Sequence, residues 1–222
     1  MKKLICLLCT ATICLAFIGC SYEQTNKPTQ DEKDEDLVLE STNEETEIKI
    51  TPISADWPYY STVDSLVLAS SNVFEGKITD IRFDVIDLKT GEFASKDTKA
   101  SSMFLYTIYE VEVSNSYKGI CTSKVYIKII GGMKGYKEAD QLTKMKEFGI
   151  YNEKNGIMVL SNIESLDIGK SYMFITTGQI GDCHSIINSE QFAYDITGEE
   201  KTNTFGYNEI KACLTNSAAL SD

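Results

Sequence analysis

The sequence predicts a mainly β fold: a five- or six-stranded barrel with a short N-terminal helix and small helical insertions, with a β-sandwich as the alternative. Three observations carry this. Met103, Leu105, Thr107, Tyr109, Val111 and Val113 alternate with Tyr106, Ile108, Glu110 and Glu112, the two-residue period of a half-buried strand. Val73 to Leu88 is also strand-like, but its phase slips: Phe74, Gly76 and Ile78 share one face, while Ile81, Phe83 and Val85 continue on the opposite parity. A β-bulge produces such a slip and bends a long strand so that it serves two parts of a barrel, and Gly76 nearby fits a tight bend. Val125, Ile127 and Ile129, alternating with Lys124, Tyr126 and Lys128, mark a third strand that stops at Gly131-Gly132.

The other elements follow in order. Trp57-Pro58-Tyr59-Tyr60 leads into a short helix capped at Ser61, with Asp64 near its start and Val63, Leu66 and Val67 on one face up to Ser70. Thr90-Gly91 opens a turn region that runs to about Ala100. Glu138 to Phe148 carries Leu142, Met145 and Phe148 at spacings of three and reads as a short lysine-rich helix. Strands are expected at Ile157 to Leu160, Ser171 to Thr176, Ser185 to Asn188 and Gln191 to Asp195, and a terminal helix at Tyr207 to Leu214. These segments make one domain, 52–222, of about 170 residues, enough for a sizeable core.

The N-terminus carries a different signal. Lys2 and Lys3 precede an apolar run, Leu4 to Ile18, that ends as Phe17-Ile18-Gly19-Cys20. The run is short of the roughly 20 residues that span a bilayer and fits a secretory h-region. The small Gly19 directly before Cys20 resembles the lipobox of bacterial lipoproteins, although Phe17 stands where leucine is usual. The resemblance implies cleavage of a signal peptide, 1–19, and lipid attachment at Cys20, so that the protein is extracytoplasmic and held to the cell membrane by acyl chains. The plainer alternative is an ordinary signal peptide or an uncleaved anchor. Residues 20–51, with Asp31-Glu32, Asp34-Glu35-Asp36 and Glu44-Glu45, are too polar to offset their ordering entropy and read as an acidic disordered tether. The lysine-over-arginine usage fits a low-GC Gram-positive source.

The globular part has its own resemblance. A long first strand, consecutive hairpins, a helical insertion after the third strand and two closing strands are similar to an OB-like barrel. The runs Val73 to Ile78, Tyr109 to Val113, Tyr117 to Gly119, Gly131-Gly132 and Gly169 to Tyr172 resemble those of uncharacterised Gram-positive lipoproteins. Tissue-inhibitor and netrin-like modules share the plan, but their disulfide framework is missing. Among Cys121, Cys183 and Cys213 at most one bridge can form, and free thiols are the expectation.

Composition limits the chemistry. A net charge of -12 opposes nucleic acid, whose phosphates need a basic stripe. The single arginine, Arg82, makes bidentate anion clamps scarce. No HExxH, GxSxG or P-loop pattern occurs, and a Cys183/His184 dyad fails because neighbours in a strand point to opposite faces. No metal site or cofactor is expected. Gly131-Gly132-Met133-Lys134-Gly135 reads as a loop needing positive φ rather than a phosphate cradle. Trp57, Tyr59 and Tyr60 are the candidate contacts for a ligand or protein partner, the competing reading being that they plug the barrel end. Tyr106, Tyr126 and Tyr136 are expected on outward faces. The expectation is a lipid-anchored binding or envelope-accessory protein without catalysis. The alternatives are a surface protein-interaction or inhibitor-like barrel, and an enzyme of unrecognised type.

Overall fold

A computed structural model describes residues 48–119, 121–163, 165–197 and 205–219, with side chains of the last segment to 216. Cys20 and the acidic tether as far as residue 47 lie outside the described residues. The elements run β1 (Ile50–Ile53), α1 (Val63–Ala69), β2 (Asn72–Asp87), β3 (Met103–Lys118), β4 (Lys124–Ile130), α2 (Glu138–Glu147), β5 (Ile157–Leu160), β6 (Ser171–Ile180), β7 (Cys183–Ile186), β8 (Ala193–Asp195) and α3 (Tyr207–Ala219).

The main sheet has six strands in the order β2-β3-β4-β7-β6-β8, and β2 also pairs with β6. Hydrogen bonding therefore returns to its start through β2, β3, β4, β7 and β6, giving a barrel-like ring with β8 added outside β6. Only the β4–β7 contact in this ring is parallel. Numbered within the ring, the order is 1-2-3-5-4-1, with α2 and β5 inserted between the third and fourth strands. This is the OB-like arrangement the sequence predicts, and one continuous ring replaces the two facing sheets of a sandwich.

The long strand β2 makes the ring possible. Asn72 to Lys77 pair with β6, while the strand runs along β3 from Val73 to Asp87. Its register shifts between Val73 and Phe74, Glu75 and Gly76, and Ile78 and Asp80, which locates the predicted slip. Gly76 lies in that bend because a Cβ there would meet Val111 Cγ1 at 2.4 Å and the Glu112 carbonyl at 2.8 Å. Phe74, Ile78, Ile81, Tyr109, Val111, Ile127 and Phe174 fill the ring. Beyond it the β2–β3 hairpin continues, and Phe83, Val85, Met103 and Leu105 form a second core with Met145 of α2 and Ile157 of β5. Each such side chain contributes about 1.5–3 kcal/mol on burial.

One expectation changes, and two segments find partners that the sequence did not name. The cap of α1 is Thr62 rather than Ser61: its hydroxyl accepts from the Ser65 amide at 3.2 Å and Ser65 Oγ accepts from the Thr62 amide at 3.3 Å, a reciprocal cap that needs this three-residue spacing. The strand expected at Ile157 to Leu160 forms with those bounds, and it pairs in parallel with β1 in a two-stranded sheet. Among the described residues β1 starts at Ile50, and Ile48 packs on the second core. Its partner lies a hundred residues downstream, so local pattern did not reveal it.

Candidate functional site

The alternation of β3 and β4 sends Tyr109 and Ile127 inward and leaves Tyr106, Tyr126 and Lys128 on the outer face. In register, Arg82 sits across from Ile108, Ile108 from Lys128 and Lys128 from Ser185. The loop after β2 then folds back over this face. Ile86 bridges Phe93, and Lys128 Nζ donates to the Gly91 carbonyl at 2.7 Å. The sole arginine strengthens the fold-back, its guanidinium lying 5.3 Å from the Phe93 ring and 5.4 Å from the Tyr126 ring while pairing with Asp84 at 2.7 Å. Cation–π contacts of this kind are worth about 0.5–2 kcal/mol each.

Between this loop and the segment before α1 lies a groove of about 290 Å³, lined by Trp57, Ile86, Leu88, Tyr106, Lys128, Ile130, Ser185 and Ile186 among others. Its Trp57 wall is held from below. Gln191, fully buried, uses its side-chain amide like a strand partner: Nε2 donates to the Tyr60 carbonyl at 2.8 Å and Oε1 accepts from the Tyr60 amide at 3.0 Å. Asn188 donates to the Pro58 carbonyl at 3.1 Å and to Gln191 Oε1 at 2.8 Å. An aromatic segment without regular structure is thus pinned where it borders the groove.

The predicted contacts divide. Trp57 is half-buried, packs on the core and lines the groove. Tyr59 is exposed beside a smaller cavity of about 150 Å³ that also touches Trp57, Asn188 and Glu190. Tyr60 is half-buried against the core. Tyr106 and Tyr126 lie on the outer face, whereas Tyr136 packs against both cores. Lys128 and Gly91 escaped the sequence reading as site residues; only the outward parity of Lys128 hinted at its place. Gln191 and Asn188 carried no signal.

Two other constellations are structural. Gly131 has φ +94° and Gly135 φ +76°, as the glycine loop predicted, but the Gly131 and Gly132 amides donate to Leu105 and Met158 carbonyls and are not free to cradle an anion. This loop roofs an apolar cavity of about 160 Å³ lined by Thr107, Tyr109, Ile129, Met133 and Leu160. Gln141, fully buried, binds both the amide and the carbonyl of Met133 and so holds the loop. Glu75, nearly buried, accepts hydrogen bonds from Asn115 at 2.7 Å, Tyr117 at 2.7 Å and Tyr207 at 2.6 Å, with Lys211 at 3.4 Å, fastening α3 to β2 and β3.

Cys183 and His184 point to opposite faces, as adjacent strand residues must. His184 is fully buried, its Nδ1 beside Asn72 at 3.2 Å and Thr176 at 3.3 Å and its ring 5.5 Å from Phe74. Cys183 lies on the side of Lys128 and Arg82, and burial pushes its thiol up from the ordinary range. Among the described residues Cys121 and Cys183 are free thiols, and the Cys213 thiol donates to Asp64 Oδ1 at 3.1 Å. Among the described residues no cluster of metal-ligating side chains occurs, and no helix is long and apolar enough to cross a membrane. Comparison of the chain with known protein families and with curated proteins finds no match.

Proposed function

We propose that this chain is a lipid-anchored extracytoplasmic protein that binds a ligand in the groove between Trp57 and Tyr106. The observation that carries the reading is the groove itself: a cleft on the strand face in which Trp57, Tyr106 and branched aliphatic side chains meet one lysine and one serine. Sites that capture small molecules share this make-up, mostly apolar with a few placed polar groups. The lipobox-type Cys20 and the acidic spacer support attachment to the outer side of the cell membrane, with the barrel held away from the surface. No catalytic step is assigned to the groove.

The test is a thermal-shift screen of small molecules on the full-length chain and on Trp57→Ala and Tyr106→Ala variants. Compounds that raise the melting temperature of the native chain, and lose that effect in both variants, support the reading. Compounds that act equally on all three would place binding elsewhere and sink it. A second reading, docking of a protein, is favoured by the rim, where Leu88 and Phe93 are exposed. Hits confined to peptides, blocked by Leu88→Ser and Phe93→Ser, would favour it.

A further inference from the structure

We infer that the ligand of the groove is a small amphipathic anion, a carboxylate joined to an aromatic or branched apolar body. The inference rests on the reading of the groove as a binding site. It begins from Lys128, which is 7% exposed. An ammonium taken out of water is costly unless its charge is met and its three donors are used. Lys128 has one hydrogen bond, to the neutral carbonyl of Gly91, and no ion pair among the described residues. The neighbouring cation, Arg82, already has its carboxylate in Asp84. In a chain with 33 acidic and 21 basic residues, a nearly buried lysine that lines a groove and has no ion pair among the described residues stands apart.

The rest of the groove defines what accompanies the anion. Trp57, Tyr106, Ile130 and Ile186 supply flat and branched apolar walls, and Ser185 adds a hydroxyl beside Lys128 on the neighbouring strand. A space of about 290 Å³ suits a small molecule at the lower end of the range for ligand pockets. The net charge of -12 repels a polyanion more strongly than a monoanion, so a single negative charge is favoured. A carboxylate fits because it accepts charge-assisted hydrogen bonds from an ammonium and a hydroxyl together.

Trp57 is the only tryptophan, so its emission reports on the groove without labelling. The full-length chain would be titrated with 3-phenylpropionate, its neutral counterpart 3-phenylpropanol and the cationic 3-phenylpropylamine. The expected result is that the carboxylate binds at least about tenfold more tightly than the alcohol, and the amine more weakly still. Lys128→Met should erase the preference of carboxylate over alcohol while circular dichroism stays unchanged. Lys128→Arg, which keeps the charge, should retain it. Equal binding of carboxylate and alcohol to the native chain would overturn the ligand class and leave the groove reading standing. A preference that survives in Lys128→Met would also overturn it. If none of the probes changes Trp57 emission at millimolar concentration, both readings fall.

Discussion

Lys128 Nζ donates to the carbonyl of Gly91 at 2.7 Å, and this bond ties the loop after β2 to the middle of β4. Gly91 sits in a turn where its amide returns to the Asp87 carbonyl at 2.7 Å and its φ is +74°. A side chain there is strained, and an added Cβ would lie 2.5 Å from Ile180 Cδ1 and 3.4 Å from Lys128 Nζ. Gly91→Ala is expected to cost about 1–2 kcal/mol, chiefly from the left-handed backbone, since the end of Ile180 can shift. Urea unfolding measures the cost. Hydrogen exchange should show faster opening across 88–102, and unchanged exchange there would show that the turn at Gly91 does not hold the loop.

Glu75 ties acid sensitivity to the docking of α3. Burial alone pushes its carboxyl up, but hydrogen bonds from Tyr207, Tyr117 and Asn115, with Lys211 nearby, outweigh this and bring it from 4.5 down to about 2. The native state therefore holds the carboxylate where the unfolded chain is already protonated. The resulting stability is complete above pH 4.5 and is lost as pH falls toward 2, amounting to roughly 3 kcal/mol. In Glu75→Gln that part of the acid dependence should be absent, with a loss of about 1–3 kcal/mol at neutral pH. Parallel acid profiles of the two proteins would show that Glu75 does not carry the effect.

His184 acts with the opposite chemistry but the same sign. Burial lowers its pKa from 6.5, partly opposed by Asp182. The Asn72 amide and Thr176 hydroxyl face Nδ1, the Phe74 ring packs beside it, and Nε2 has no hydrogen-bond partner among the described residues. Below pH 6.5 the unfolded chain takes up a proton that the folded ring resists, so stability is full above that pH and falls below it. The slope is at most about 1.4 kcal/mol per pH unit. Because this is the only histidine, His184→Gln should flatten the urea midpoint between pH 7.5 and 5.5. A native midpoint that is already flat over this interval would contradict the assignment.

The proposed anchor has a direct test outside the barrel. Cys20→Ala should release the protein from membranes or block its processing, with loss of the acyl mass. Unchanged membrane retention and mass would sink the lipobox reading and leave the groove untouched.

Alternation along β3 and β4, the phase slip between Ile78 and Ile81, and the glycines at 131 and 135 were all legible in the sequence. Each reports a local choice: which face of a short segment meets the core, or where the backbone must turn. Those choices defined the strands, their bend and the order that resembles an OB-like barrel. The tertiary structure alone decided that β2 closes on β6, that β4 lies parallel to β7, and that β5 leaves the main sheet for β1. It also made the site, by folding Gly91 onto Lys128 and pinning Tyr60 with Gln191 across 131 residues. Periodicity carries no record of such partners. A lysine on an outward parity is ordinarily solvated, and what buries this one is a loop whose return path depends on Arg82, Phe93 and Tyr126 meeting in three dimensions.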